Sequence, residues 1–245
     1  MWGRTTMKAR IPLLLLAAAC LLGHAPARAD VDDDLDELRG TAAFNEWDLV
    51  KHDQRRNIKA YSKREDGKNV RSFKLDYLVE ASLTTLGRVY LDVENYTRWF
   101  WQMRDSKFAK KVSPTEFYYY IQHDAPVTLP DRDAYIHVTI EPYTHKRGFA
   151  SMTLKAVPDF APPKPPLVRM KAEDMIVKFT PIDKDQVRVE VEGYIDPGGA
   201  APGWAINAVQ RQAPYYTVIG LQRMVQLPQY RNAAGPLPFR LIDEE

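Results

Sequence analysis

Cysteine is almost absent from this sequence of 245 residues: the single one, Cys20, lies near the amino terminus. A disulfide needs two cysteines, so none can form within the chain. Cysteine also cannot provide a nucleophile or a set of metal ligands to the rest of the protein. A folded domain in this chain must therefore be stabilised by its hydrophobic core.

Sequence signals for cofactor chemistry are also missing. Beyond residue 29, none of the histidines stands at metal-ligand spacing from another histidine. These histidines are His52, His123, His137 and His145. No G-x-S-x-G nucleophile motif, phosphate-binding glycine loop or dinucleotide fingerprint occurs. We therefore expect no metal, no cofactor and no catalytic residue.

Long hydrophobic runs are limited to residues 11–22. Arg4, Lys8 and Arg10 precede this run, and an A-x-A motif at 27–29 follows it, which is the order found in a secretory signal peptide. The run is shorter than the roughly 20 residues that span a bilayer. We expect cleavage after Ala29 and export to the periplasm of a Gram-negative-like cell. An uncleaved anchor and lipidation of Cys20 are the alternatives.

Cleavage after Ala29 would leave a chain with little net charge. It would keep 216 residues, with 30 basic and 32 acidic side chains. This balance gives no support for a nucleic-acid partner. The length suits one large domain, preceded by an acidic leader over 30–43.

The apolar spacing predicts an α+β fold. Helical periodicity marks 44–51, 82–96 and 203–225, and the last of these helices contains Pro214. Period-two patterns predict strands between and after the first two helices. The predicted strands cover 57–64, 70–81, 106–112, 116–123, 132–141, 149–157, 168–179 and 186–195.

Four segments, in this order and spacing, resemble a START domain, the lipid-transfer branch of the helix-grip superfamily. Residues 57–63 match the opening strand, and 92–99 match a helix-end pattern with Asp, Tyr and Trp. Residues 129–133 contain the Pro and Arg-Asp that start a central strand. Residues 194–207, Y-I-D-P-G-G-A-A-P-G-W-A-I-N, are similar to the junction that leads into the C-terminal helix.

The resemblance implies a helix-grip fold over 44–227, followed by a Pro-rich tail over 228–245. In this fold a curved antiparallel sheet wraps around the long C-terminal helix and encloses an apolar cavity. The resemblance also implies a non-enzymatic, monomeric protein that binds a lipid or other hydrophobic small molecule and contacts membranes transiently. The expected ligand-binding residues are Ile136, Val138, Ile140, Met152, Leu154, Met170, Val189, Val191, Trp204, Val209, Ala213 and Tyr216. A solid core without a cavity is the alternative for each of them.

A few further residues are singled out by the same resemblance. Phe160, in the Pro-rich loop 158–166, is expected on a loop that closes the cavity, and Trp204 at the hinge of the lid helix. Arg132, Asp133 and Asn207 are family-motif positions; for Arg132 and Asp133 we favour a structural ion pair or turn hydrogen bonds over ligand recognition.

Some sterol-binding members of this family place a basic residue on the inward face of the strand that begins with the Arg-Asp pair. In this sequence the inward-facing positions of that strand are all apolar: Ala134, Ile136, Val138 and Ile140. A cholesterol-like ligand held by a buried ion pair is therefore not expected, and the identity of the ligand stays open.

Two other functions stay open at this point. An enzyme that resembles polyketide cyclases would need polar side chains such as Tyr118, Tyr120 or His123 to converge in the cavity. An envelope interaction module would keep the fold with a vestigial cavity.

Overall fold

The computed structural model describes residues 45–68, 70–126 and 128–239. The expected signal peptide and acidic leader lie outside these residues. The helices are α1 (Leu83–Leu91), α2 (Gly203–Met224) and α3 (Pro228–Arg231), with 3-10 turns at Val93–Arg98 and Pro158–Phe160. The strands are β1 (Asp48–Asp53), β2 (Ile58–Lys63), β3 (Ser72–Val79), β4 (Met103–Ser113), β5 (Glu116–His123), β6 (Arg132–Glu141), β7 (Ala150–Ala156), β8 (Val168–Arg169), β9 (Ala172–Pro181) and β10 (Val187–Asp196).

The strands form one sheet in the order β1-β2-β3-β10-β9-β7-β6-β5-β4. All of these neighbours are antiparallel, and β8 pairs in parallel with the first two residues of β6. The pairing of edge strand β4 with β5 shifts register at three places. The predicted α+β fold, a curved antiparallel sheet with a long C-terminal helix, is confirmed.

Strand β10 shows why the period-two patterns predicted the sheet well. Val187, Val189 and Val191 are buried on one face, whereas Arg188 and Glu192 are exposed on the other. This is the pattern of an antiparallel strand with one face on the core. The predicted strand 168–179 is instead divided into β8 and β9 by a break at residues 170–171.

The predicted helix at 44–51 is wrong. Asp48–Asp53 is strand β1, which pairs with β2 and contains a bulge between Leu49 and Lys51. Most of β1 is exposed, so no core contact could hold an amphipathic helix there. Pairing with β2 satisfies the backbone groups of this segment instead.

Helix α1 begins one residue after the start of the predicted helix 82–96 and ends earlier, at Leu91. The Ser82 hydroxyl accepts a hydrogen bond from the amide of Thr85 at 3.1 Å, the usual contact of an N-cap serine. Leu86, Val89 and Tyr90 face the core. These contacts fix α1 over one part of the sheet.

Helix α2 runs through Pro214 without interruption and approaches the chain closely near its end. At Gly220 a Cβ atom would lie 2.2 Å from the carbonyl oxygen of Trp99, which only a glycine avoids. The Trp101 amide donates to the Thr217 hydroxyl at 3.2 Å on the same side. No helix within the described ranges is long and apolar enough to cross a bilayer.

The segment expected to be a Pro-rich tail packs on the domain as far as it is described. Tyr230 in α3 is buried, and its hydroxyl donates to Asp92 at 2.7 Å. Leu237 lies against Gly87 of α1. Residues beyond 227 therefore contribute to the folded body.

Candidate ligand cavity

A cavity of about 200 Å³ lies between α2 and the part of the sheet formed by β3, β9 and β10. Its surface is almost entirely apolar. The apolar residues that line it include Val70, Phe73, Leu75, Leu154, Met170, Met175, Val177, Val191, Ile195, Ile206, Val209, Ala213, Val218 and Leu221. Such a surface favours the hydrophobic part of a ligand over water.

The two halves of α2 are packed very differently. Before Pro214, only Ala205 is fully buried, although Ile206, Val209 and Ala213 all line the cavity. After Pro214, the helix buries Tyr215, Val218, Gly220, Leu221 and Met224. The first half therefore covers the cavity with few fully buried side chains and a hydrogen bond from Gln210 Nε2 to the Arg71 carbonyl at 2.9 Å, whereas the second half packs into the core.

Polar side chains gather at one end of this apolar cavity. His123 ends β5 and Arg132 begins β6, and the two are direct cross-strand partners, so they share one face of the sheet. His123 Nε2 lies 3.3 Å from Glu173 Oε2 at the start of β9. All three side chains line the cavity.

Arg132 is 7% exposed, and burial lowers the pKa of its guanidinium. One Nη donates to the carbonyl of Pro130, whereas Nε has no hydrogen-bond partner. No carboxylate among the described residues forms an ion pair with Arg132. The indole Nε1 of Trp99, also in the lining, is likewise buried without a partner.

The neighbouring Asp133 points to the opposite face, as strand alternation requires. Its carboxylate is fully buried and receives Arg169 Nε at 2.9 Å and an Nη at 3.0 Å. This bidentate contact raises the pKa of the Arg169 guanidinium. For Asp133 the predicted structural ion pair is therefore present. Arg132 does not take part in it, because it faces the cavity.

Two tyrosines add hydroxyl groups to the apolar end of the cavity wall. The hydroxyl oxygens of Tyr77 and Tyr90 are 3.3 Å apart, and both rings line the cavity. Burial raises the pKa of Tyr90 to about 12 and also raises the pKa of Tyr77 well above its ordinary value. Both phenols therefore stay protonated at neutral pH.

The structure divides the predicted ligand-binding residues into two groups. Leu154, Met170, Val191, Val209 and Ala213 line the cavity. The remaining residues from the sheet do not: they are Ile136, Val138, Ile140, Met152 and Val189. Whether any of these residues contacts a ligand stays a prediction.

Aromatic packing explains why Ile136 and Val138, in the middle of β6, do not line the cavity. Tyr119, the cross-strand partner of Ile136, contacts Tyr96 with ring centroids 5.5 Å apart. Tyr96 also contacts Trp99 and Phe100. These rings fill the space over this part of the sheet. Ile140 and Met152 line a separate space of about 30 Å³ beside α1.

Three predicted residues of α2 are also outside the lining. Trp204 is 54% exposed and Tyr216 is 48% exposed. Asn207 is half-buried. Trp204 begins the first half of α2, next to the cavity-lining Ala205 and Ile206, so its ring is displayed to solvent beside the cavity.

The expected closing loop lies on the other side of the sheet. Phe160 stacks on Tyr135 and Tyr118, with ring centroids 4.8 and 5.0 Å apart. Arg169 holds this loop by donating to the carbonyls of Pro158 and Ala161. No described residue of 158–166 lines the cavity. The expectation that Phe160 closes the cavity is therefore wrong. The described loop residues that line the cavity are Trp99, Phe100, Trp101, Gln102, Asp124, Ala125, Pro126, Leu129, Pro197 and Ala201.

The polar residues considered for a cyclase-like enzyme do not converge. Tyr118 stacks on His137 with centroids 4.4 Å apart, and Tyr120 packs against Tyr135, all outside the cavity lining. His123 alone of that set is in the lining, together with Glu173. The described part of the chain has no group of three or more side chains placed to hold a metal ion.

The sequence reasoning missed Glu173, Trp99 and the orientation of Arg132. The alternation of faces along β6 could have predicted that Arg132 points inward, because position 132 shares the face of Ala134 and Ile136. Glu173 carried no such signal, since it follows the break between β8 and β9.

No protein-family model matches the sequence, and no curated protein sequence matches it significantly. Among solved structures, a STAR-related lipid transfer protein from Xanthomonas axonopodis is similar at 26% sequence identity and a TM-score of 0.67. The match covers 74% of this chain and 99% of that one.

This chain has the fold of a START domain. The START fold is also seen in human STARD10, at 17% identity and a TM-score of 0.65, over 82% of each chain. Human StAR-related lipid transfer protein 5 matches at 14% identity and a TM-score of 0.63, over 80% of this chain and 93% of its own. The helix-grip expectation drawn from the four segments is thus confirmed.

Proposed function

We propose that this START protein binds one lipid or similar hydrophobic molecule in its cavity and transfers it without chemical reaction. The observation that carries the proposal is the apolar cavity beneath the first half of α2. Burial of each CH₂ group of a ligand there would contribute roughly 0.8 kcal/mol. A membrane offers similar burial, so the net preference would be small, as exchange requires.

The packing of α2 supports a route for the ligand. Movement of the residues before Pro214 would uncover Val209 and Ala213 while the second half of the helix stays on the sheet. Pro214 lacks the amide that would bond to the carbonyl of Gln210, so the helix is weakest there. Opening a cover over a site is a common way to control ligand exchange.

The exposed Trp204 supports transient contact with a membrane. Tryptophan favours the interface between headgroups and acyl chains. Insertion of this ring would bring the lipid surface next to Ala205 and Ile206, where the cavity lies. We also propose that the protein acts as a monomer in the periplasm, after cleavage of residues 1–29.

Native mass spectrometry of protein purified from its own host tests the proposal. We expect a co-purifying lipid at one molecule per chain. Ala213→Phe, which fills the cavity, should remove this lipid. Ala208→Phe is the matched control, because Ala208 is half-buried in the same helix but does not line the cavity. A consistently empty wild-type protein would instead favour an interaction module with a vestigial cavity.

A cyclase-like enzyme is the second candidate, and the His123 and Glu173 pair in the cavity favours it. A histidine that contacts a buried carboxylate can act as a general base. If the protein turns over an aromatic polyketide-like substrate and His123→Ala abolishes this turnover, the protein is an enzyme and the transfer proposal is wrong. Binding of the same molecule without turnover would exclude this reaction for it.

A further inference from the structure

We propose that the bound molecule is a single-chain carboxylate whose head group contacts Arg132 inside the cavity. This inference rests on the proposed function, because it specifies the chemical class of the ligand. It is carried by the charge of Arg132 and by two unpartnered hydrogen-bond donors in the cavity lining.

The first step is the charge of Arg132, which has no direct ion-pair partner among the described residues. Asp131 is near enough to raise the pKa of the Arg132 guanidinium, but its carboxylate contacts Gln122, the Ala125 amide and Arg104 instead. An arginine stays protonated in proteins, and a buried charge is costly unless it is paired. Arg132 is 7% exposed, and Glu173, the buried carboxylate in the same lining, is paired with His123 instead. The adjacent Asp133 is paired with Arg169 on the other face. A bound anion would supply the partner that the protein does not.

The second step is the kind of hydrogen bond that is missing. Arg132 Nε and Trp99 Nε1 are buried without partners, and both are donors that cannot accept. Both residues line this cavity. The complementary ligand group must therefore be an acceptor. A hydroxyl group would satisfy a donor but not the charge, whereas a carboxylate satisfies both.

The third step is the charge and size of the ligand. Glu173 lies in the same lining and repels negative charge, so a head group with two charges would be disfavoured more strongly than a head group with one. A cavity of about 200 Å³ is below the roughly 300–1,000 Å³ of pockets for drug-sized molecules. Both limits favour one acyl chain with one carboxylate over a two-chain phospholipid.

Binding of three C16 probes to delipidated protein tests the inference: hexadecanoate, 1-hexadecanol and hexadecyl phosphate, each measured at pH 7.5. We expect the carboxylate to bind roughly tenfold to a hundredfold more tightly than the alcohol, the range for a hydrogen bond to a charged group. Arg132→Gln should remove this preference, because it should weaken binding of the carboxylate far more than binding of the alcohol. Arg132→Lys should keep part of it.

Two further variants separate the contact from general effects of charge or folding. Arg188→Gln removes an arginine on the outer face of β10, paired with Asp76, and should leave the preference intact. Trp99→Phe keeps an aromatic ring and removes Nε1, so it should reduce the preference severalfold. Thermal unfolding of each variant shows whether it is folded before binding is measured.

The outcomes distinguish this inference from the proposed function. Equal binding of alcohol and carboxylate, or tighter binding of the phosphate, overturns the carboxylate and leaves a hydrophobe carrier. A carboxylate preference that survives in folded Arg132→Gln overturns the role of Arg132. Failure of every probe to bind, with a different hydrophobe co-purifying, also overturns the inference, whereas an empty protein overturns the proposed function itself.

Discussion

The hydroxyl of Tyr215 donates a hydrogen bond to Asp53 Oδ2 at 2.7 Å, one residue after Pro214 in α2. Lys51 lies over the same tyrosine ring, 3.5 Å from its centroid. These contacts fix the middle of α2 to the end of β1. They therefore mark the point where the anchored half of the helix begins.

Tyr215→Phe should lower the melting temperature at neutral pH. The hydrogen bond from Tyr215 is the largest cause that holds the pKa of Asp53 at about 2, below its ordinary 3.8. A lowered carboxyl pKa stabilises the fold above the ordinary value, and this contribution is lost as the pH falls through the folded value. The difference from wild type should therefore be largest above about pH 4 and shrink toward pH 2. Tyr216→Phe, which alters an exposed ring, should change neither the melting temperature nor its dependence on pH. A difference between Tyr215→Phe and wild type that stays constant with pH would contradict the assignment.

Gly220→Ala should destabilise the domain by at least about 1–3 kcal/mol, the usual cost of overpacking. Its Cβ would meet the Trp99 carbonyl, a backbone group that cannot turn away. Gly203→Ala in the same helix has no neighbouring atom within 4 Å and should be neutral or slightly stabilising. Urea unfolding measures both. Equal stability of the two variants would show that α2 can shift away from Trp99.

Asp133→Asn should cost about 3–5 kcal/mol, because it leaves the buried Arg169 without its anionic partner. The side chains of the pair are 0% and 10% exposed. Asp76→Asn breaks a pair with Arg188 whose side chains are 19% and 48% exposed, and it should cost less, about 1 kcal/mol. Comparison of unfolding free energies tests the contrast, and a small loss in Asp133→Asn would mean that the carbonyls of the Pro-rich loop suffice to hold Arg169.

Trp204→Ala should slow lipid exchange with vesicles severalfold and leave stability nearly unchanged, because the ring is mostly exposed. Phe160→Ala should do the reverse: it removes stacking on Tyr118 and Tyr135 at a cost of about 1–2 kcal/mol, less than for a core phenylalanine. Fluorescent-lipid transfer and thermal unfolding provide the two measurements. Slower lipid transfer in Phe160→Ala would indicate that the Pro-rich loop controls access to the cavity after all.

The sheet could be predicted from sequence because its strands alternate cleanly. In β10 the buried valines and exposed charges define both the strand and its inward face. Strand β1 could not be predicted, since it is exposed and is held by pairing with β2, which lies outside any local pattern. For this segment, pairing with β2 decides between helix and strand.

The sequence predicted an apolar cavity, but it did not predict where in the fold the cavity lies. Inward parity correctly identified Ile136 and Val138 as facing the core, yet it carries no information about what covers them. The aromatic rings of Tyr96 and Trp99 fill that region, and this follows from how the 3-10 turn packs. Likewise, the prolines of 158–166 showed that the segment leaves the sheet, but not toward which face.

The irregular pairing of β4 has a consequence for the protein at high concentration. An open sheet has edges whose free amides and carbonyls invite strand addition from another molecule, the first step toward aggregation. On β4, three register shifts interrupt the regular row of such groups, and Lys107, Lys110 and Lys111 are exposed along it. A second copy would meet like charges and a broken hydrogen-bond pattern, so this edge resists association between molecules.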